Sequence, residues 1–462
     1  MKRKANTEKR GVADYVIPQL GVMLGVFAVK FTGSFVELFL PSILSYMVDD
    51  IAPEGNIKKM FLFGGIMILC AFIALVGNIC ANRMASKIAS GITRNIRHDV
   101  YSKTISLSCE DADRFTSPTL ISRLTSDTYN VHNMLLMVQR LGVRAPIMVI
   151  GGVIITFFLD PVLTLILLAL MPIVFTAVFF ISRRGVKMYG KVQKTADGMV
   201  SMLREHMEGV RVIKALSKTE YEKKRFGEIN EEIYKNDRNA ALMTGLSGPV
   251  MSLILNFGLT AVIFVGAFRV SAGKTDPGVI IAFLSYFTII LNAMMMISRL
   301  FMQLSKGLAS AKRLDEVLSS EAEPSSDENA ADKVDTPYML SFDDVSFSYL
   351  KTRNNVENLS FGIRKGETLG IIGATGSGKS TIISLILRFY KPDKGTVRIN
   401  GEDISGINRE RLYSMIGSAL QTDFLMSDSI SENIRFGREI DTEEMELAAV
   451  SALADGFIRE KD

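Results

Sequence analysis

The chain has 462 residues, a net charge of +4, 48% hydrophobic residues and a mean hydropathy of +0.24. Length alone suggests about three domains. The apolar residues fall in long uncharged blocks, which excludes an ordinary water-soluble enzyme and makes the small positive charge a matter of topology, with no support for nucleic-acid binding.

A basic tail opens the chain: Lys2, Arg3, Lys4, Lys9 and Arg10. Tyr15–Met47 follows, apolar except for Lys30 and Glu37, too long for a signal-peptide core and without a small-residue cleavage site. Met60–Ala81, Val162–Ser182, Ala240–Phe268 and Pro277–Ser298 contain no charged residue. Ala145–Leu159 is shorter but extends upstream past Arg144 through Leu141-Gly142-Val143. A membrane helix needs roughly 20 mostly apolar residues, so the pattern predicts six spans.

Basic residues set the orientation. The tail, loop 82–144 and loop 183–239 hold five, nine and fourteen Lys and Arg, whereas Lys58, Lys59, Arg269 and Lys274 are the only four in the loops on the other side. Both termini are therefore expected in the cytoplasm of a multi-pass plasma-membrane protein. Cys70, Cys80 and Cys109 form no framework and are expected as reduced thiols. His98, His132 and His206 lack metal-ligand spacing and read as surface or packing residues. Lys30 and Glu37, seven apart, share one helix face. They read either as a cavity-lining pair that touches cargo, or as Glu37 near the outer water interface with Lys30 reaching another helix. Met294–Met296 offer an adaptable binding surface or ordinary packing.

The two long inner loops carry helical patterning with spread charges. They read as membrane helices continuing into the cytoplasm, with a turn far from the bilayer and a break at Ser117-Pro118; the alternative is surface-lying amphipathic helices. Residues 1–318 form the membrane domain, the acidic, polar stretch 319–338 reads as a flexible linker, and 339–462 reads as a partial α/β domain.

In that last region Thr368–Ile372 reads as a buried strand, Thr381–Phe389 as a helix stopped by Lys391-Pro392, and Thr396–Ile399 as a strand ending in an Asn400-Gly401 turn. Arg409–Met415 reads as a helix and Ile416–Leu420 as another buried strand. Between the first strand and helix lies Gly373-Ala374-Thr375-Gly376-Ser377-Gly378-Lys379-Ser380-Thr381, which fits the phosphate-binding P-loop. Its glycines let successive N–H groups converge on phosphate oxygens, and the helix dipole points at the same anion. Lys379 supplies charge to the β- and γ-phosphates and the Ser380 hydroxyl suits Mg²⁺. ATP, or another nucleoside triphosphate, with Mg²⁺ is the expected cofactor.

With these motifs the chain resembles an ATP-binding cassette (ABC) exporter of the half-transporter type, six membrane helices fused to a nucleotide-binding domain. The run Ser341–Tyr349 resembles the family's first strands, which implies that Tyr349 stacks on adenine. Ile416–Gly437 resembles the Q-loop segment, which implies that Gln421 reaches Mg²⁺ and the attacking water. Arg114–Thr128 and Glu208–Phe226 resemble the two inner-loop turns that dock on nucleotide domains, and Leu159-Asp160-Pro161 the minimal outer loop between the third and fourth helices. The family's LSGGQ signature, Walker B aspartate, catalytic glutamate and switch histidine have no counterpart after Gln421, so no complete catalytic set is expected and these residues alone are not expected to hydrolyse ATP. The resemblance implies a dimer, homo- or heteromeric, that moves a drug, lipid or peptide out of the cytoplasm by alternating access, in contact with membrane lipid. The alternative is a truncated fragment or a non-catalytic ATP-binding subunit that needs a complete partner chain.

Overall fold

The computed structural model describes residues 11–320, 332–420 and 424–461. Contacts divide the chain into one unit of Met1–Leu107 and Asp111–Ala322 and a second of Glu323–Asp462 with Ser108–Glu110.

The first unit is helical throughout. A short helix α1 (Val12–Val16) leads into α2 (Leu20–Tyr46), and a π-turn at Met47–Ile51 and α3 (Ala52–Glu54) reverse the chain into α4 (Ile57–Ile105). Then come α5 (Cys109–Phe115), α6 (Ser117–Ser122), α7 (Thr128–Leu141), α8 (Arg144–Leu159), α9 (Pro161–Ala215), α10 (Thr219–Gly245), α11 (Ser247–Ser271) and α12 (Pro277–Leu318). Six helical stretches among the described residues are long and apolar enough to cross a membrane, and they carry the six spans read from the sequence.

Helices α4 and α9 have 49 and 55 residues. At 1.5 Å per residue they run about 74 and 82 Å, more than twice a bilayer's ~30 Å hydrocarbon core. Each long loop is therefore helix continuing past the apolar part, as its patterning predicts. Ser117-Pro118 is a break: Thr116, at φ 61°, sits before α6 and the proline occupies its first turn. The first reversal spans Ser106–Thr116 with α5 inside it, so Arg114–Thr128 covers its trailing edge and the returning helix. The second reversal is the three-residue link Leu216–Lys218, with Ser217 at φ 53°, inside the matched run Glu208–Phe226.

This unit turns apolar side chains outward. Phe61, Ile68 and Phe158 are 78%, 73% and 82% exposed, an arrangement suited to lipid. Small residues let the helices close: a Cβ on Gly77 would lie 3.3 Å from the Gly33 Cα, so α2 and α4 touch backbone to backbone. Two ion pairs pin helix ends. Asp160 caps α9 through the Val162 and Leu163 N–H groups and accepts from Arg269 Nε at 2.8 Å. Asp127, nearly fully buried, accepts from the Arg313 guanidinium.

The second unit carries an antiparallel sheet in the order β2-β1-β3-β4, formed by β1 (Leu340–Phe347), β2 (Val356–Ile363), β3 (Lys394–Ile399) and β4 (Glu402–Asp403). Phe342 faces Phe361 on one neighbour and Val397 on the other, and Val345, Phe347, Leu385 and Leu412 complete the core. Helices α13 (Lys379–Ile386), α14 (Arg409–Ser414), α15 (Ile430–Arg435), α16 (Thr442–Ser451) and α17 (Asp455–Arg459) complete the unit's helices among the described residues. The Asn400-Gly401 turn has φ 52° and 78°, the two positive values a tight hairpin turn requires.

Four expectations are corrected here. Thr368–Ile372 and Ile416–Leu420 are not strands, and Ile372 is 98% exposed. An apolar run becomes a strand only beside a neighbour that takes its N–H and C=O groups, and among the described residues neither run has one. The helix expected to reach Phe389 ends at Ile386, where Arg388 turns left-handed at φ 52°. Within the stretch read as linker, Val334 N–H donates to Gly401 O at 3.0 Å and the Tyr338 ring covers Gly362, so 334–338 lies against the sheet.

Candidate nucleotide site

The glycines of the P-loop are used as their chemistry suggests. Gly376 and Gly378 have φ +85° and +94°, and a Cβ on Gly378 would sit 2.6 Å from the Asn355 carbonyl oxygen. Gly378 leads directly into α13, whose first-turn N–H groups lack partners within the helix and carry its positive dipole end. Ser377 N–H donates to Ala374 O, closing the loop.

Lys379 bends back over this loop. Its ammonium donates to the carbonyl oxygens of Gly373 and Ala374, both at 2.8 Å, and lies 3.5 Å from Ser377 Oγ. The loop thus holds a cation at its mouth, bound only to neutral acceptors. A phosphate oxygen is a stronger, charge-assisted acceptor for the same ammonium. Ser380, on the exposed side of α13, is open to a metal ion, whereas Thr381 turns into the core and keeps only its backbone N–H for a phosphate. The donor set fits a polyphosphate with Mg²⁺: the N-terminus of α13 and Lys379 for the phosphates, Ser380 for the ion.

Tyr349 stands beside the loop, 41% exposed. Its ring makes edge contacts with Phe347 and Tyr390, each at 4.9 Å. Asn355 ties it in place: the Asn355 side chain accepts the Tyr349 N–H at 3.1 Å, while its carbonyl abuts Gly378. One residue therefore fixes both the Tyr349 backbone and the turn at Gly378. Asp393 anchors the other side of this segment, accepting Ser348 N–H at 2.8 Å and pairing with Lys351. Burial opposes ionisation of Asp393, but the Lys351 hydrogen bond and charge and the Ser348 N–H together outweigh it and hold the carboxyl below its ordinary value. Asn355, Tyr390 and Asp393 escaped the sequence reading, because an Asn after a basic turn or a Tyr before Lys-Pro carries no signal by itself. Gln421, expected to reach Mg²⁺ and water, lies outside the described residues.

Comparison with known proteins agrees with this arrangement. The family model described as the ABC transporter transmembrane region matches residues 23–294, and the ABC transporter model matches 356–460. The chain belongs to the ABC transporter family. An uncharacterized ABC transporter ATP-binding protein of Mycobacterium tuberculosis is 30% identical over 456 residues, covering 96% of this chain and 78% of the relative. The uncharacterized ABC transporter ATP-binding protein YfiB of Bacillus subtilis is 30% identical over 405 residues, 87% of this chain and 70% of its own. A fatty acid ABC transporter ATP-binding/permease protein of Mycobacterium bovis is 30% identical over 364 residues, 79% of this chain and 57% of its own. The chain thus combines the transmembrane and ATP-binding parts of an ABC exporter half-transporter.

The charged residues of this ABC transporter chain's first span separate. Glu37 accepts from Arg144, at the start of α8, at 2.8 and 3.1 Å. Lys30, nearly fully buried, donates to Asn78 Oδ1 at 2.7 Å and Asn82 Oδ1 at 3.2 Å on α4. They are not each other's partner, although they share a helix face. Met294 packs against the core around Phe283, Tyr286 and Phe287. His206 pairs with Glu222 across α9 and α10 at 2.6 Å.

Proposed function

We propose that the chain is one half of a dimeric ATP-driven exporter in the cell membrane, with both termini in the cytoplasm. ATP with Mg²⁺ occupies the loop Gly373–Thr381 beside Tyr349, and Gln421 contacts the metal. Two six-helix bundles, from a second copy or a related half-transporter, alternate access to a cavity between them and carry a drug, lipid or peptide outward. The observation that carries this reading is the positive-φ glycine loop under the Lys379 ammonium, leading into α13, in a chain whose other unit has six helices fit to cross a membrane. The excess of Lys and Arg in the tail and the two long loops supports the orientation.

Two measurements test it. Lys379→Ala should weaken triphosphate binding about 10-fold or more, the worth of a charge-assisted contact, while adenosine binding holds. Equal ATP affinity in the variant removes Lys379 from the phosphate site. In intact cells, a cysteine at Asn56 should react with an impermeant thiol reagent and Cys109 should not; labelling of Cys109 reverses the proposed topology.

A further inference from the structure

We propose that the polar cluster between α2, α4, α7 and α8 is a binding site for the anionic head group of an amphiphile, which makes the exporter's cargo acidic. The inference rests on the reading of the first unit as a transport bundle. Its first support is a charge imbalance. Glu37 is held by Arg144 at 2.8 Å, while Lys30, seven residues before Glu37 on α2, and Arg140, four residues before Arg144, bring two further cations to the same helices. In the sequence, Glu37 is the sole acidic residue between Asp14 and Asp49, and there is none from Gly55 to His98 or from Thr128 to Leu159. The chain's own spans therefore leave two positive charges without a counter-ion.

Position makes that imbalance costly. Arg144 opens α8, which ends at Leu159; at 1.5 Å per residue this puts it about 22 Å along the helix, within a hydrocarbon layer of ~30 Å. Ionisable groups at such depth face a partner or a pathway.

The second support is unfinished hydrogen bonding. Ser34 lies on the stripe of α2 between Lys30 and Glu37, is fully buried, and its Oγ has no partner; Arg140 Nε is likewise buried without one. Lys30 reaches only neutral amide oxygens. The cluster thus holds spare donors of both ammonium and guanidinium type, and the planar guanidinium fork matches a carboxylate or phosphate. The Glu37 and Arg144 side chains keep 29% and 28% exposure, so the cluster is open on that side.

A hydrated anion alone would lose its water at this depth with nothing to offset it. An anion carried on an apolar body gains from burial of that body. The adjacent stripe of α2 offers the exposed Phe31, Phe35 and Phe39, the first two stacked at 5.7 Å and the last two edge-on at 5.0 Å, as a surface for such a body.

The test uses the full chain in lipid nanodiscs and a fluorescent single-chain fatty acid, with the matched fatty alcohol as neutral control. The acid should bind about 10-fold tighter than the alcohol, as one charge-assisted contact requires. Arg140→Gln should remove most of that preference without moving the melting temperature, because Arg140 Nε bonds nothing in the fold. Lys30→Met provides a second variant at the other end of the cluster. Equal binding of acid and alcohol, or a preference intact in both variants, overturns the proposal. A preference for a single-chain lysophosphatidate over the acid supports the same site with phosphate as head group. Displacement of the acid by millimolar inorganic phosphate overturns the amphiphile. ATP binding in the same sample separates the two claims: loss of head-group preference with ATP binding intact refutes this inference alone, and the reverse refutes the nucleotide assignment alone.

Discussion

The two units satisfy their backbones in opposite ways. In the helical unit every segment takes its N–H and C=O groups within itself, so an apolar run becomes a helix wherever its neighbours lie. In the sheet unit an extended run needs another strand beside it. Met60–Ala81 and Thr368–Ile372 are both apolar and uncharged, yet the first is helix along its whole length and the second is irregular with Ile372 in the open. Sequence patterning therefore predicts the helical unit better, because there the pattern and the bonding are local.

That contrast can be broken where helices depend on one another. Arg313→Ala would leave Asp127 buried and charged without its cation, at a loss on the order of 3 kcal/mol. A drop in melting temperature in detergent checks it, and an unchanged melt would show that α12 and the π-helical turn Arg123–Asp127, which joins α6 to α7, do not rely on this pair. Gly378→Ala sharpens the comparison from the other side. The left-handed backbone and the 2.6 Å approach to Asn355 O predict a local cost of about 1–3 kcal/mol in the second unit only. The expected signature is weakened ATP binding, read by nucleotide fluorescence, with the helical unit's melt unmoved.

Tyr349→Ala should weaken adenosine and ATP binding alike, by about 0.5–1.5 kcal/mol for a lost aromatic contact. An effect confined to the phosphates would assign the ring a structural role against Tyr390. The smallest effect is a pH dependence. Asp393 is held below its ordinary value when folded, so its contribution is present above about pH 4. It is lost as the pH falls through the depressed folded value. Asp393→Asn should flatten the acid limb of the second unit's stability curve, and a superimposable limb would exclude Lys351–Asp393 as its cause.

Legibility follows the same physics. The six spans, the Ser117-Pro118 break and the Asn400-Gly401 turn depend on neighbours in sequence, and all were readable. So was the bend of Gly373–Thr381, whose positive-φ glycines and Lys379 contacts fall within nine residues. The partners of Lys30 and Glu37 were not: Asn78, Asn82 and Arg144 lie 48, 52 and 107 residues from the groups they bind. Asn355 was missed for a related reason, since its contact with Gly378 joins two loops that only the sheet brings together.

The length of α9 has a mechanical consequence. Among its 55 residues Pro172 is the one interior proline, removing a backbone hydrogen bond and marking the natural point of flexure. Beyond it the helix continues for 43 residues to Ala215, a stiff arm of about 65 Å. A change of ~5° at Pro172 would swing the far end by roughly 6 Å, about one helical pitch. The rod works as a lever with its fulcrum among the lipid tails, converting a shift smaller than a side chain's diameter into a stroke as long as a helical turn.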